Sequence, residues 1–297
     1  MNLPPQIDVL LSSDWKDYEL IDSGEGQKLE RFGKYLFVRP EAQAVWQKGL
    51  PPSRWEKVDA VFQTTGEENG GHWLIKSKLP ERWALAYNDL KCWVQPTASR
   101  HLGVFPEQAT HWDWTQSLIQ SRKTPAKILN LFGYTGLASM AAAFVGAQVT
   151  HVDASKKAIA YAKENQILCG LTQKPIRWIV DDALKFTERE ARRGSYYDGI
   201  ILDPPKFGRG PKGEVWEFFD LLPDLLAACG KVLTPQPLFL LMTAYAIKSS
   251  ALTLHGAISD LMTDFPGTLT VGELATRESS QGRLISHAIY ARWSGLK

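Results

Sequence analysis

The residue types best suited to chemistry in this sequence follow four apolar stretches that are typical of buried strands. Each stretch ends in a polar, acidic or glycine-containing segment. Open α/β sheets bind ligands outside the carboxyl ends of their strands, so these segments predict one shared binding site. In chain order they are Gly133 and Gly136, Asp153, Asp181 and Asp182, and the run Asp203-Pro204-Pro205-Lys206.

The first segment is a glycine loop at residues 133–136, between a strand and an alanine-rich helix. Its Gly-x-x-Gly pattern departs from the G-x-G-x-x-G that brings a backbone close to a pyrophosphate. Asn130, Tyr134 and Thr135 add amide and hydroxyl groups to the loop. We therefore expect a ligand without phosphates, such as one with an amino-acid tail. The alternative is a plain turn from strand to helix.

Acidic residues end the next two strands. Asp153 follows the glycine loop by about 20 residues, the position at which an acid accepts hydrogen bonds from a ribose diol. Asp181 or Asp182 ends the third strand, where a carboxylate can accept a hydrogen bond from an adenine amino group. The alternative for Asp182 is the N-cap of the following helix. Acids or amides at three successive strand ends favour a nucleoside-type ligand.

The fourth strand ends in Asp203-Pro204-Pro205-Lys206, which predicts a rigid polar edge. Proline has no N–H to donate to a neighbouring strand, so the chain must leave the sheet here. The next residues, 207–216, read as a loop in which Arg209 and Lys212 face an anionic substrate. Phe207 and Trp216 are candidates for stacking on a base turned out of its helix.

The surrounding pattern predicts an α/β protein of two domains. Residues 116–297 alternate strands and helices, as in a Rossmann-like, doubly wound sheet of seven strands. Residues 1–115 predict a smaller β-rich (α+β) domain with one helix near residues 41–46. Eight of the eleven tryptophans lie there, and they either fill a small core or stack on bases. We favour the core, because this region carries 13 basic and 16 acidic residues.

Composition excludes several classes of protein. The 297 residues carry a net charge of +2, with 21 basic and 16 acidic residues in the region 116–297. Three unclustered cysteines are typical of a reducing compartment. The six histidines have no metal-ligand spacing, and we find neither a signal peptide nor an apolar run that could span a bilayer. We expect a soluble, cytoplasmic protein with no metal and no membrane partner.

The order of these motifs resembles the class I S-adenosylmethionine-dependent methyltransferases over residues 116–297. In the members that methylate nitrogen or carbon of bases and amides, an Asp/Asn-Pro-Pro-x element follows the fourth strand, and its prolines present carbonyls and a rigid edge to the target group. The resemblance implies S-adenosylmethionine as cofactor. The candidate cofactor-binding residues are Phe105, Gln108, Asn130, Phe132, Gly133, Tyr134, Thr135, Gly136, Asp153, Ala154, Asp181, Asp182, Ala183 and Asp203.

A narrower resemblance covers most of the chain. The segments LERFGKYLFVRPEAQAVW, LGVFPEQ, DPPKFGRG and YARWSG, with the stretch from LNLFGYTG to AYAKEN, resemble bacterial 23S rRNA large-subunit methyltransferases, which include cytosine-C5 enzymes. It implies that residues 105–108 lie beside the cofactor, that Asp153 holds the ribose and that Asp182 contacts the adenine. It also implies an RNA substrate and an N-terminal domain that helps to present the RNA.

One departure from that family changes the expected chemistry. The cytosine-C5 enzymes use a cysteine thiolate just after the fifth strand, where this chain has Met242-Thr243-Ala244-Tyr245. Cys92, Cys169 and Cys229 lie elsewhere. We therefore expect direct transfer to a nitrogen, with catalytic roles for Asp203, Pro204, Pro205 and Lys206. Asp203 would bind the target or take its proton, the proline carbonyls would accept from an exocyclic N–H, and Lys206 would contact a phosphate or base carbonyl, or be a solvated charge.

Four alternatives remain open at this point. They are a cytosine-C5 enzyme with an atypically placed cysteine, a methyltransferase acting on protein or a small molecule, a non-catalytic RNA-binding relative, and a nicotinamide-dependent oxidoreductase. The missing G-x-G-x-x-G speaks against the last.

Overall fold

A computed structural model describes residues 5–65 and 70–295. Seventeen strands are found in these ranges: β1 Ile7–Leu11, β2 Tyr18–Gly24, β3 Gln27–Phe32, β4 Tyr35–Pro40, β5 Ala60–Thr64, β6 Gly71–Ile75, β7 Trp83–Tyr87, β8 Leu90–Val94, β9 Lys127–Leu131, β10 Gln148–Asp153, β11 Ile176–Val180, β12 Gly199–Leu202, β13 Phe207–Arg209, β14 Val215–Glu217, β15 Phe239–Tyr245, β16 Thr268–Arg277 and β17 Leu284–Ser294. The helices are α1 Pro52–Glu56, α2 Ala109–Gln120, α3 Leu137–Phe144, α4 Lys156–Leu168, α5 Ala183–Arg192, α6 Phe218–Val232 and α7 Ala251–Leu261.

The chain forms two compact units. The parallel-sheet unit contains residues 5–10, 110–274 and 287–295, and the N-terminal unit contains the described residues of 11–109 with 275–286. The division predicted at residues 115/116 falls inside α2. The units also differ from that division at both ends of the chain. Residues 5–10 belong to the parallel-sheet unit, and residues 275–286 belong to the N-terminal unit.

An eight-stranded sheet has the strand order β1-β16-β17-β15-β12-β9-β10-β11. Five neighbouring strands, β15, β12, β9, β10 and β11, are parallel, and β17 runs antiparallel to β15. This arrangement confirms the predicted doubly wound sheet. The predicted number of seven strands is wrong by one, because the edge strand β1 is added from the chain's first residues.

Helix α4 of the parallel-sheet unit begins and ends at residues suited to those positions. Ser155 caps α4, accepting a hydrogen bond from the Ala158 N–H at 3.1 Å, and Gly170 beyond the helix has a left-handed φ of 68°. The apolar sides of α5, α6 and α7 contribute to the largest core, together with buried residues of β9, β12 and β15 such as Leu131, Leu202 and Met242.

The N-terminal unit contains a five-stranded sheet, β2-β3-β4-β5-β6, and the pair β7-β8. Its strands are joined by a buried ion pair in which the Arg39 guanidinium donates to both oxygens of Glu30 at 2.7 Å. This bidentate geometry is the strongest form of side-chain pairing. Burial opposes ionisation of Glu30, but the charges of Arg39 and Lys28 outweigh it and lower its pKa to about 2.

The eight tryptophans between residues 15 and 114 favour the predicted packing role. Trp15, Trp55 and Trp112 are buried, and the other five are half-buried. Phe37, for example, stacks on Trp83 at a centroid distance of 5.8 Å and meets Trp73 edge-on at 5.7 Å. The helix predicted at residues 41–46 is wrong, since that segment is irregular. The helix occurs instead at α1, which begins with a proline in its first turn.

Among the residues that the structure describes, no helix combines the length and the apolar character needed to cross a bilayer.

Candidate active site

Parallel pairing brings the predicted site segments to one edge of the sheet. Leu131 at the end of β9 pairs with Val152 of β10 on one side and with Leu202 of β12 on the other. Asp153 then pairs with Val180 at the end of β11. The glycine loop and the segments that begin at Asp153, Asp181 and Asp203 therefore leave four neighbouring strands at almost the same level.

The glycine loop is wound tightly by left-handed backbone. Phe132 and Tyr134 have φ values of 57° and 50°, and Gly136, which caps α3, has 86°. Left-handed φ is uncommon for residues with a side chain. The Gly133 N–H donates to the Val152 carbonyl at 3.1 Å, which holds the loop against β10.

Gly133 allows an unusually close approach to a buried histidine. A Cβ atom at this position would lie 2.2 Å from Cε1 of His151, so no side chain fits there. The His151 ring is buried, and burial lowers its pKa to about 3, which keeps it neutral. The bare backbone of Gly133 thus rests on a flat, uncharged surface.

Two of the predicted ligand contacts, Asn130 and Thr135, are buried. Asn130 is 2% exposed and donates from Nδ2 to the Ser139 hydroxyl at 2.9 Å, and that hydroxyl also contacts Nδ1 of His151 at 2.9 Å. Thr135 is also buried, and its carbonyl accepts from Asn165 at 3.0 Å. In this structure both residues support the loop from within. Nothing in the apolar run ILNLF predicts that the side-chain amide of Asn130 donates a buried hydrogen bond to Ser139.

Asp153 fastens the glycine loop to β10. Its Oδ2 accepts from the Tyr134 N–H and its Oδ1 from the Ser155 N–H, both at 2.8 Å. Burial raises the pKa of Asp153 above its ordinary value, although the two N–H donors act in the opposite direction. Ala154 lies half-buried between these contacts. Each carboxylate oxygen can accept more than one hydrogen bond, so a diol can still bind here.

The two adjacent aspartates after β11 have different partners. Asp181 is ion-paired with Arg189, and its Oδ1 accepts from the Asp182 N–H at 2.9 Å. Asp182 caps α5 through Oδ1, which accepts from the Lys185 N–H at 2.9 Å, as the capping alternative predicted. Capping occupies one oxygen of Asp182 and is compatible with a second role for the other. Ala183 follows as the buried first residue of the helix.

The Asp-Pro-Pro-Lys segment is held by its own backbone and by the residues after it. Asp203 is half-buried, Pro204 is buried, and Pro205 and Lys206 are exposed. The Pro205 carbonyl accepts from the Trp216 indole N–H at 2.7 Å. The Lys206 carbonyl accepts from the Phe218 N–H at 3.1 Å. These two hydrogen bonds hold the turn at Pro205 and Lys206, while its first residue, Asp203, remains partly accessible.

Residues 207–217 form a β-hairpin, so the predicted open loop is wrong. β13 and β14 pair antiparallel, with Gly208 opposite Trp216. Trp216 is 3% exposed and its ring lies 5.0 Å from that of Phe132, so the prediction that it stacks on a base is also wrong. Phe207, by contrast, is 52% exposed.

Comparison with known proteins gives the family. The S-adenosylmethionine-dependent methyltransferase family profile matches residues 59–237, more than half of the chain. The chain belongs to the S-adenosylmethionine-dependent methyltransferases. Its fold agrees closely with the crystal structure of the SAM-dependent methyltransferase from Agrobacterium tumefaciens, at 47% identity and a TM-score of 0.93, covering 100% of this chain and 98% of that one.

Two further similarities are more limited. Ribosomal RNA large subunit methyltransferase K/L of Shewanella sp. (strain ANA-3) is 37% identical over 127 residues, which are 41% of this chain. The match spans only 18% of that protein's length. The Pyrococcus abyssi tRNA (uracil-54, C5)-methyltransferase, solved with S-adenosyl-L-homocysteine, has 14% identity and a TM-score of 0.50 over 92% of this chain and 62% of that one. At that identity the likeness concerns the fold alone.

The edge of the methyltransferase sheet suits its cofactor, S-adenosylmethionine. Because Gly133 has no side chain, the loop packs directly on the buried His151 ring, which holds its backbone close to the end of β9. The carboxylate of Asp153 stands one strand away, next to the loop. No cluster of glycines suited to a pyrophosphate is needed, because this cofactor carries no phosphate.

The three cysteines of the methyltransferase all lie in the described residues, and none of them forms a disulfide. Cys229 is buried in α6, and burial raises its pKa to about 12. Cys92 is buried in β8 of the N-terminal unit, and Cys169 lies at the end of α4. At neutral pH Cys229 is therefore a thiol and a poor nucleophile.

Phe105 and Gln108 lie in the N-terminal unit. Gln108 closes a short 3₁₀ helix, Pro106–Gln108, with its N–H donating to the Phe105 carbonyl at 3.1 Å. Their place beside the cofactor stays a prediction.

Replacing Gly133 with alanine should damage cofactor binding. The new methyl group must displace the His151 ring, and overpacking of this kind costs about 1–3 kcal/mol. We expect the affinity for S-adenosylmethionine, measured by calorimetry, to fall about tenfold or more.

Gly256→Ala is the matched control, because a Cβ atom there meets nothing within 4 Å and alanine favours the helix. Its affinity should equal that of the wild type. Wild-type affinity in Gly133→Ala would contradict the role assigned to the bare backbone.

Proposed function

We propose that this chain methylates a base of ribosomal RNA by direct transfer from S-adenosylmethionine to a nitrogen atom. The observation that carries the proposal is the half-buried Asp203, presented by a fixed turn on the strand next to the glycine loop. The similarity to ribosomal RNA large subunit methyltransferases K/L supports an RNA substrate. Such a substrate also supports a cytoplasmic location.

We assign the cofactor's groups to neighbouring strand ends. The amino-acid tail would contact the backbone of residues 132–136, where left-handed residues expose main-chain groups. The ribose hydroxyls would donate to Asp153, and the adenine amino group to the oxygen of Asp182 that does not cap α5. From the predicted set, this assignment uses the backbone of residues 132–136, Asp153 and Asp182, and it gives the side chain of Asn130 a supporting role.

S-adenosylmethionine supplies a methyl group on a positively charged sulfur, which is already a good leaving group. The chain's task is therefore to align the target nitrogen and to receive its proton. As the new N–C bond forms, the S–C bond breaks and its electrons stay on sulfur. The nitrogen then releases a proton, and the carboxylate of Asp203 is the acceptor that we assign.

The carbonyls of Pro204 and Pro205 are the acceptors that we assign to an exocyclic N–H. The Pro205 carbonyl also accepts from the Trp216 indole N–H at 2.7 Å, and its second lone pair can accept another donor. Lys206 is exposed at the end of the turn, where its charge can meet a phosphate or a base carbonyl.

The positions of the cysteines favour nitrogen over cytosine C5 as the target. Transfer to C5 needs a thiolate that adds to the base, and it would be expected on β15 or just after it. That strand carries Met242 and Ala244, both buried, and its pairing partner β12 leads to Asp203. A nitrogen nucleophile needs no covalent step.

Replacing Asp203 with asparagine should stop transfer without removing the cofactor. A positioned acid or base contributes about 10²–10⁴-fold, so we expect kcat on undermodified 23S rRNA to fall at least about 100-fold. Affinity for S-adenosylmethionine should change little. The readout is incorporation of a labelled methyl group, with calorimetry for the cofactor.

The control for this variant is Asp220→Asn, which changes an exposed acid of α6. This control variant should leave both kcat and the affinity for S-adenosylmethionine unchanged. If Asp203→Asn loses cofactor affinity and transfer in equal measure, Asp203 is a cofactor or folding residue and the assigned role is wrong.

Cofactor affinity should also depend on pH through Asp153. Since burial raises its pKa, this carboxylate takes up a proton at a higher pH than an ordinary aspartate. The protonated form is a weaker acceptor for the ribose hydroxyls. Affinity should therefore be constant at high pH and decline as the pH falls through the raised pKa.

Asp153→Asn should bind about tenfold more weakly at neutral pH, because a hydrogen bond to a charged group contributes about 1.5–3 kcal/mol. In this variant the affinity for S-adenosylmethionine should also no longer decline as the pH falls. Circular dichroism at each pH separates this effect from unfolding. A variant whose pH profile runs parallel to that of the wild type would rule out Asp153 as the titrating group.

A further inference from the structure

The hairpin after the Asp-Pro-Pro-Lys turn has two unlike faces. Residues along a strand alternate between faces, so Gly208 and Trp216, which pair with each other, share the inner one. Phe207, Arg209, Val215 and Glu217 then form the opposite face, which we call the outer face. Its Phe207 is 52% exposed and its Val215 is 47% exposed.

The inner face fixes the hairpin to the turn and the core. Trp216 belongs to the largest core cluster and donates to the Pro205 carbonyl at 2.7 Å. At the closed end, the Gly210 N–H donates to the Glu214 carbonyl at 2.8 Å, and the Glu214 carboxylate pairs with Lys185 of α5 at 2.9 Å. The hairpin therefore has a fixed position directly after the turn that begins at Asp203, and Phe207 is displayed on a supported element.

The charges around the outer face are mostly positive. Lys206, Arg209 and Lys212 all lie within seven residues and are exposed. The Arg209 guanidinium lies 5.8 Å from the centre of the Phe207 ring. Of the two acids within the hairpin, Glu214 is paired with Lys185, which leaves Glu217. An exposed aromatic ring among cations is the combination that binds single-stranded nucleic acid, by stacking on a base and contacting phosphates.

We propose that the outer face binds single-stranded RNA, with Phe207 stacking on a nucleotide that flanks the methylated one and Arg209 and Lys212 contacting its phosphates. This inference rests on the proposed function and adds to it how the substrate is held. The surface is continuous in sequence with the turn that presents Asp203, so a strand whose target base reaches Asp203 passes next to it. Its positive charge favours RNA over an apolar protein segment.

Variants of Phe207 separate stacking from plain apolar contact. Phe207→Leu keeps an apolar side chain but loses the aromatic face, whereas Phe207→Trp keeps that face. Stacking of one base contributes about 1–3 kcal/mol, so the KM for undermodified 23S rRNA and the dissociation constant from filter binding should rise at least about fivefold in Phe207→Leu. Phe207→Trp should stay within about twofold of the wild type. Affinity for S-adenosylmethionine should not change in either variant.

Ile167→Ala is the control, because this residue of α4 is 66% exposed and apolar. It should bind RNA as the wild type does. Wild-type RNA binding by Phe207→Leu, or equal losses in Phe207→Leu and Phe207→Trp, would overturn this inference while leaving the proposed function in place. A wild-type protein that neither binds nor methylates RNA would overturn the proposed function, and this inference with it.

Discussion

The carboxylate of Asp153 accepts two backbone N–H groups, from Tyr134 and Ser155, each at 2.8 Å. The candidate site depends on this convergence, because it joins the loop after β9 to the start of the helix after β10. The loop can close this tightly only where no side chain intervenes, and Gly133 meets that condition above His151. The acid that we assign to the ribose and a bare backbone are thus placed side by side by one set of hydrogen bonds.

A second arrangement fixes the side of the site that faces the substrate. Trp216 packs its ring near Phe132 of the glycine loop and donates its N–H to Pro205 of the turn. One buried side chain therefore connects the segment assigned to the cofactor with the segment assigned to the target. Direct methyl transfer needs little more from a protein than alignment of these two, since the methyl group is already activated. Trp216 is buried and anchors the hairpin, whereas Phe207 is exposed and is the residue that we assign to substrate contact.

The strand ends were predictable because buried parallel strands read as apolar runs with an abrupt polar stop, as at Asp153 and Asp203. The hairpin at residues 207–217 was not, since strands of three residues are too short to show a period. Strand β1 was missed because its partner β16 lies more than 250 residues away in the sequence, and pairing over that distance leaves no local pattern. The burial of Asn130 under the loop depends on Ser139 and His151, which only the folded chain brings together.

The most direct test of the central claim is mass spectrometry of nucleosides after the purified protein has acted on undermodified 23S rRNA with isotopically labelled S-adenosylmethionine. Direct transfer to nitrogen predicts one labelled nucleoside methylated at a base nitrogen, and no labelled 5-methylcytidine. Labelled 5-methylcytidine would contradict the argument from the positions of the cysteines. A complete lack of label in the RNA, with normal cofactor binding, would contradict the assignment of an RNA base as the substrate.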